Sequence, residues 1–237
     1  MRSITPNGSQ ISLQDLTERL RAMEHPAEGC PTIGTGWGEV DSALPGGGLR
    51  AGGVHEWCGL NEMEPWTPPL LILAHLAGRA SGGGRWSVWI GRRTWMYGHA
   101  AVRGLGGMDR VLWVDPPDAG SRLWAIEAAL RCPEMVVVAD GSGVDAAGSR
   151  RLQLAAAATG TLGLLVRPMS ELKAISFSLS RWSVQPHAGV GWLVRLVRCK
   201  GVHAGDSPGW LIERNTDGCL RCVSPLAAHR PRAAAAS

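Results

Sequence analysis

The spacing of hydrophobic positions changes along this chain, and each change marks an element. Leu13, Leu16, Leu20 and Met23 recur at helical spacing within residues 11–24. Ser12 suits the cap of that helix, Asp15 stands three positions on, and Glu18, Arg19 and Arg21 fill the opposite face. Pro26, Glu28, Gly29 and Pro31 then read as a linker. Residues 34–59 are rich in turn formers. Leu44-Pro45-Gly46-Gly47-Gly48-Leu49 cannot be helix interior, because Pro lacks the donor and Gly loses too much backbone entropy. Gly52-Gly53 precedes Val54-His55-Glu56-Trp57-Cys58, a short strand. Residues 67–80 predict a helix with Thr67 as cap, Pro68 and Pro69 in the first turn, and Leu70, Leu71, Leu73, Ala74 and Ala77 apolar.

From Trp86 onward, short apolar runs alternate with helical periods. Strands are predicted at 86–90, 111–114, 135–139 and 161–166, and helices at 99–105, 120–132 and 149–159. In 120–132 the helical period is carried by Leu123, Trp124, Ile126, Glu127 and Leu130. Wholly apolar strands are buried on both faces, as in a parallel sheet covered by helices. After Pro168 the pattern changes. Residues 174–184, 191–200, 209–214 and 219–223 read as strands joined by short turns, an antiparallel extension of the sheet. The expected fold class is therefore α/β, a mainly parallel sheet flanked by helices with an antiparallel C-terminal extension. The expected organisation is a helical arm and linker over 1–30, a core over 31–224, and a disordered tail over 225–237, which lacks an apolar anchor.

Composition narrows the function classes. At 237 residues, with 45% hydrophobic and 19% charged, the chain can bury a sizeable core. Its longest apolar stretch, 152–166, is broken by Gln153, Thr159, Gly160, Thr161 and Gly163, which excludes a bilayer-spanning helix there. Residues 1–14 have no apolar core suited to a signal peptide, so a cytoplasmic location with six free thiols is expected. Eleven of the thirteen aromatics are Trp, and 22 of the 24 basic residues are Arg. Two explanations compete: a Trp/Arg surface that stacks on nucleic acid, or a G+C-rich coding bias. Trp57, Trp86, Trp89 and Trp113 fall in strands expected to be buried, whereas Trp66 and Trp95 fall in loops. Charge is asymmetric. Residues 1–64 sum to −5 and residues 65–237 to +9, which places any phosphate-binding face in the later part.

Several phrases carry a resemblance. Thr35-Gly36-Trp37-Gly38-Glu39-Val40-Asp41-Ser42-Ala43-Leu44-Pro45-Gly46-Gly47-Gly48-Leu49 resembles the segment ahead of the first core strand in RecA-type proteins. Val54-His55-Glu56-Trp57 resembles one branch of them. So do Leu112-Trp113-Val114-Asp115-Pro116-Pro117-Asp118 with Leu123-Trp124-Ala125, Arg150-Arg151-Leu152-Gln153-Leu154-Ala155-Ala156, and Leu162-Gly163-Leu164-Leu165-Val166-Arg167-Pro168. That branch is the ImuA family, RecA-like accessories of bacterial mutagenic repair that are also related to SulA-like proteins. The resemblance covers roughly residues 35–215.

The resemblance implies a RecA-like P-loop NTPase-type core and a non-catalytic adaptor in SOS-induced translesion synthesis. The implied partners are an ImuB-like Y-family polymerase homologue and an error-prone replicative-type polymerase at damaged DNA. DNA itself, RecA or a second copy of the chain are further partners, and the active protein is expected at the nucleoid. Two alternatives stand beside it: a SulA-like inhibitor of cell division, and a residual recombinase-type ATPase.

The phosphate loop speaks against the ATPase. Such a loop needs Gly residues for close backbone approach, a Lys for the phosphates and a Ser/Thr for magnesium. Counted from Gly59, the second Gly position holds Glu64, the Lys position Pro65 and the Ser/Thr position Trp66. Glu62 and Glu64 would repel a triphosphate by about 1–4 kcal/mol per charge pair, and Pro65 removes a donor. No cofactor, catalytic residue or enzymatic activity is expected. Asp140 stands where such proteins place a magnesium-facing carboxylate; without phosphate it is expected to cap or orient the next turn. The candidate DNA loops, 141–148 and 169–173, are too short for filament formation or strand exchange.

Arg150 and Arg151 open a predicted helix, where the macrodipole disfavours cations unless an anionic partner or solvent offsets it. Alternation sends Arg195 to one face of its strand and Arg198 with Lys200 to the other. Arg181, Arg198, Lys200 and Arg214 are candidates for a phosphate-contacting patch. Cys219 and Cys222 form a CxxC that Cys199 and His203 would complete as a Cys3His zinc set, but one CxxC within a strand is a weak signal and no metal is expected. His55-Glu56 lacks the second His of a metalloprotease, and Gly141-Ser142-Gly143 is not a nucleophile elbow.

Overall fold

The computed structural model describes residues 30–59, 68–82, 84–96, 105, 107–187, 191–202 and 209–226. The predicted N-terminal helix, most of the 99–105 helix and the far C-terminal tail lie outside them.

Within these residues the chain builds a nine-stranded sheet. A short ribbon of β1 (Thr32–Ile33) and β2 (Leu49–Arg50) flanks helix α1 (Gly38–Asp41) and leads into β3 (Gly53–Cys58). The turn before β2 depends on glycine, since Gly46 and Gly47 both have positive φ, 73° and 76°. There follow α2 (Leu70–Ala80), β4 (Trp86–Ile90), β5 (Val111–Val114), α3 (Ala119–Leu130), β6 (Met135–Asp140), α4 (Ala146–Thr159) and β7 (Leu162–Arg167). The chain closes with β8 (Ser180–His187), β9 (Gly191–Cys199), β10 (Gly209–Arg214) and β11 (Leu220–Leu226). The strand order is β11-β10-β9-β8-β3-β7-β6-β4-β5. The α/β fold class is the expected one: β3 to β8 pair in parallel, and β9, β10 and β11 add antiparallel.

Three expectations are corrected. Residues 174–179 are not strand, and β8 pairs parallel to β3, so the antiparallel extension begins at β9. The boundary placed at 225 falls inside β11. Trp86, expected in the core, is 40% exposed because it opens its strand. Helix starts also move. Asp118 accepts the Ser121 N–H at 2.8 Å and Asp145 the Gly148 N–H at 2.7 Å, so these caps begin α3 and α4 earlier than the apolar period indicates.

Alternation along β3 sorts the core into two layers. Trp57, with Leu164, Val166, Trp182, Val194, Trp210 and Ile212, faces α2 through Ile72, Leu73 and Leu76. Trp57 and Trp182 stack at 5.0 Å and 4°, and Trp210 tilts against Trp182 at 6.1 Å. Val54, with Val88, Ile90, Val137, Ala139 and Leu165, faces α3 and α4 through Ile126, Leu130, Leu152 and Ala155. Five Trp residues, at 37, 57, 89, 182 and 210, are fully buried, so much of the Trp excess is core. Among the described residues no helix is long and apolar enough to cross a membrane.

His55 occupies the Trp layer as a neutral side chain. Its Nε2 donates to the Arg50 carbonyl at 3.0 Å, so Nδ1 accepts from the Ser180 hydroxyl at 2.6 Å, and Ser180 Oγ accepts from Trp182 Nε1 at 2.7 Å. Burial lowers its pKa from 6.5 to about 4. Between those values the unfolded chain takes up a proton that the folded chain refuses. Stability therefore falls as the pH drops through this window, at up to about 1.4 kcal/mol per pH unit. In His55→Gln the proton uptake on unfolding between pH 6.5 and 4 should fall by about one; urea unfolding midpoints across that range measure it.

Candidate functional site

The C-terminal ends of the parallel strands hold two of the sequence candidates, Gly59 and Asp140. Gly59 leaves β3 there and donates its N–H to the Arg167 carbonyl. Glu64, Pro65 and Trp66 lie outside the described residues. Asp140 ends β6 with its side chain buried. Its Oδ1 accepts the Ser142 N–H at 3.0 Å, which fixes the following turn. Its Oδ2 lies 3.2 Å from Arg93 Nη1 and 3.7 Å from Arg122 Nη1. Arg122 also donates to the Ser142 carbonyl at 2.8 Å. Two guanidiniums thus hold the carboxylate, and a divalent cation on the same oxygen would meet both. They line a crevice of about 310 Å³ that includes Arg92 and Asp115, themselves paired at 2.8 Å.

Beside it lies a charge network buried in the sheet. Glu56, on β3, has its side chain 1% exposed. Its Oε1 accepts from Arg167 Nη1 at 2.9 Å and Ser176 Oγ at 2.8 Å; its Oε2 accepts from Arg181 Nε at 2.7 Å and Ser178 Oγ at 3.2 Å. Burial pushes the Glu56 pKa up, but Arg167 and Arg181 outweigh it and hold the carboxyl below its usual range. Arg167 reaches onward to the Val144 carbonyl at 2.7 Å and to Glu171 at 2.6 Å. Glu171 accepts the Gly143 N–H at 3.0 Å. Arg181 Nη1 donates to the carbonyls of Leu172 and Ala174. The two segments named as candidate DNA loops are therefore tied to one buried carboxylate.

The predicted phosphate patch does not form as drawn. Arg181 is 4% exposed and committed to Glu56, so it is unavailable to a phosphate. Alternation also fails on β9, because a bulge intervenes: Arg181 pairs with Arg198 while Trp182 pairs with Leu196. Val197 is the extra residue. Arg198, opposite Arg181, consequently emerges on the same face as Arg195, opposite Ser183. Arg198 donates to Ser178 Oγ at 2.9 Å. Lys200 lies apart, in a pocket of about 150 Å³ with His55, Leu44 and Leu179. Arg214 is exposed on β10. Since α4 begins at Ala146, Arg150 and Arg151 sit in its second turn, beyond the reach of the macrodipole conflict. Arg151 pairs with Glu127, and Arg150 lies over the Phe177 ring at 5.6 Å.

The zinc set is ruled out by register. Cys222 pairs across β10 with the level of Trp192, whereas Cys199 is at the far end of β9, roughly 20 Å away at strand rise. His203 lies outside the described residues. The Glu56 network was not among the sequence candidates, yet it left a signal. Glu56, Arg167 and Arg181 are charged residues within or ending strands that otherwise read as buried, and such charges require partners.

Replacing Glu56 leaves the buried Arg181 guanidinium without a carboxylate and Arg167 with Glu171 alone. Glu56→Ala should lower the unfolding free energy by about 3–5 kcal/mol, read by urea denaturation, whereas Arg214→Ala should leave it within about 0.5 kcal/mol. Because the folded pKa of Glu56 lies below 4.5, its contribution is complete above that value and lost as the pH falls through the folded pKa.

No family model matches the chain. Among curated proteins, it is 31% identical over 234 residues to Protein ImuA of Caulobacter vibrioides strain NA1000 / CB15N, covering 87% of this chain and 94% of that relative. The same figures hold for Protein ImuA of Caulobacter vibrioides strain ATCC 19089 / CIP 103742 / CB 15. With this identity sustained across nearly the whole length of both proteins, the chain belongs to the ImuA family.

Proposed function

We propose that this chain is a non-catalytic, RecA-like adaptor in SOS-induced, error-prone translesion synthesis. It links an ImuB-like Y-family polymerase homologue and an error-prone replicative-type polymerase to damaged DNA. The observation that carries this reading is the state of Asp140. The carboxylate at the magnesium-facing position is held by Arg93 and Arg122, in a chain whose phosphate loop has Glu64, Pro65 and Trp66 at the functional positions. A working ATPase needs that carboxylate free for a metal and that loop free of negative charge.

The pinned loops support the same reading. Loops that grip and exchange DNA strands need freedom, and here Val144, Gly143, Leu172 and Ala174 are bound to Arg167, Glu171 and Arg181. What remains is a rigid α/β body with cations on its surface, Arg214 and Arg221 on the β10–β11 hairpin among them. Such cations give affinity for phosphates without sequence choice. The protein then acts by bringing partners together, in the cytoplasm and at the nucleoid.

Calorimetry with ATP and magnesium should register no binding; stoichiometric, magnesium-dependent binding would restore the ATPase reading. Immobilised protein should retain an ImuB-like partner and not the tubulin-like division protein; the reverse would select the SulA-like alternative. Replacing Arg214 and Arg221 with Ala should weaken duplex-DNA binding and flatten its salt dependence by about 0.9 for each phosphate no longer neutralised. An unchanged slope would remove that hairpin from the DNA-binding surface.

A further inference from the structure

The β9 bulge and the segment before β8 together leave an open groove. Lys173 and Ile175 border it from the segment, Val197 and Arg198 from the bulge, and its volume is about 480 Å³. Its apolar part is unusually bare. Ile175 is 76% exposed and Val197 40% exposed. Phe177, two residues beyond Ile175, is 37% exposed beneath the Arg150 guanidinium. Single exposed apolar side chains are common, but a cluster rimmed by charge marks an interaction surface.

The charged residues that line it have one sign, and the neighbouring Glu171 is paired with Arg167. Lys173 and Arg198 line the groove, Arg150 stands beside it over Phe177, and no carboxylate is among its described lining residues. Glu56, the nearest buried acid, is already engaged by Arg167 and Arg181. Burial, and after it the neighbouring Arg181 charge, push the Arg198 guanidinium below its ordinary pKa. An arriving carboxylate would relieve that like-charge contact.

We propose that this groove docks an acidic amphipathic helix of a partner protein, its apolar side chains on Ile175 and Val197 and its carboxylates on Lys173 and Arg198. The proposal rests on the adaptor reading and names the chemistry of one partner contact. A helix fits better than an added strand, because β9 is paired on both sides by β8 and β10 and offers no free backbone edge. A protein segment fits better than single-stranded nucleic acid. Ile175 and Val197 present no aromatic face for bases, and one face of the Phe177 ring is occupied by Arg150. The bulge is what makes the site, since it turns Val197 and Arg198 out together where a regular strand would separate them.

The test uses the full chain and a labelled synthetic amphipathic helix with a Leu face flanked by Glu, followed by fluorescence anisotropy. The Glu helix should bind and weaken with added salt, and a matched helix with Lys in place of Glu should not bind. Ile175→Glu and, as a milder variant, Ile175→Ser should weaken it, the former by about 10-fold or more, with the unfolding midpoint unchanged. Lys173→Glu should weaken it as well, and Arg214→Ala should not. The proposal is overturned if the Glu helix fails to bind, or binds Ile175→Glu as well as the original chain. It is also overturned if single-stranded DNA, and not the helix, is the ligand sensitive to Ile175→Glu. Should the helix fail while an ImuB-like protein is still captured, the groove falls and the adaptor reading stands. Should the helix bind through Ile175 while that capture fails, the adaptor reading falls alone.

Discussion

A carboxylate in the interior of a sheet has to be neutralised where it stands, and much of this molecule is arranged around that requirement. Glu56 sits on the strand with parallel neighbours on both sides, and it faces the layer otherwise filled by Val54, Val137 and Leu165. Arg167 arrives from β7 and Arg181 from β8, one guanidinium to each carboxylate oxygen. The pair of arginines brings a charge imbalance of its own, which Glu171 offsets. A buried ionic cluster of this kind is weak evidence for extra stability, because desolvation consumes most of the attraction. In this arrangement of β3, β7, β8 and their loops Glu56, Arg167, Arg181 and Glu171 each have an opposite charge as partner.

That arrangement has functional consequences. The spare donors of Arg167 and Arg181 reach the backbone of the segments after β6 and after β7. These segments are thereby tied by hydrogen bonds to the buried charge network. The same fixing presents Ile175 and Phe177 outward, next to the bulge that exposes Val197 and Arg198. A second set of paired charges, Asp140 with Arg93 and Arg122, closes the neighbouring strand ends in a similar way. At both sites the carboxylate is met by two guanidiniums of the chain itself.

The composition with its many tryptophans and arginines separates into two physical roles. Trp57, Trp182 and Trp210 form a contiguous cluster, the first two stacked and the third tilted, in one layer of the core, where large flat rings bury much area per residue. The arginines divide between buried clamps such as Arg167 and Arg181 and surface cations such as Arg214. Arg serves the buried positions well because its planar fork satisfies two acceptors at once and its charge is weakly hydrated.

The sequence by itself determined the elements and their class. Apolar runs such as Val136-Val137-Val138 cannot be anything but buried, and the helices between them must cover a parallel sheet. It also shows Glu64, Pro65 and Trp66 where a phosphate loop would carry Gly, Lys and Ser/Thr, because residue identity is a local property. The family was legible too, since its phrases are contiguous. What the tertiary structure decided is everything that depends on partners distant in the chain. Arg181 reads in sequence as a surface cation and becomes a buried clamp, because Glu56 lies 125 residues away. Arg198 reads as opposite in face to Arg195 until a bulge, set by pairing with β8, turns it round. Cys199 and Cys222 read as neighbours until register separates them along β9. Periodicity reports which side of an element is apolar; charge pairing and register are settled only when the strands meet.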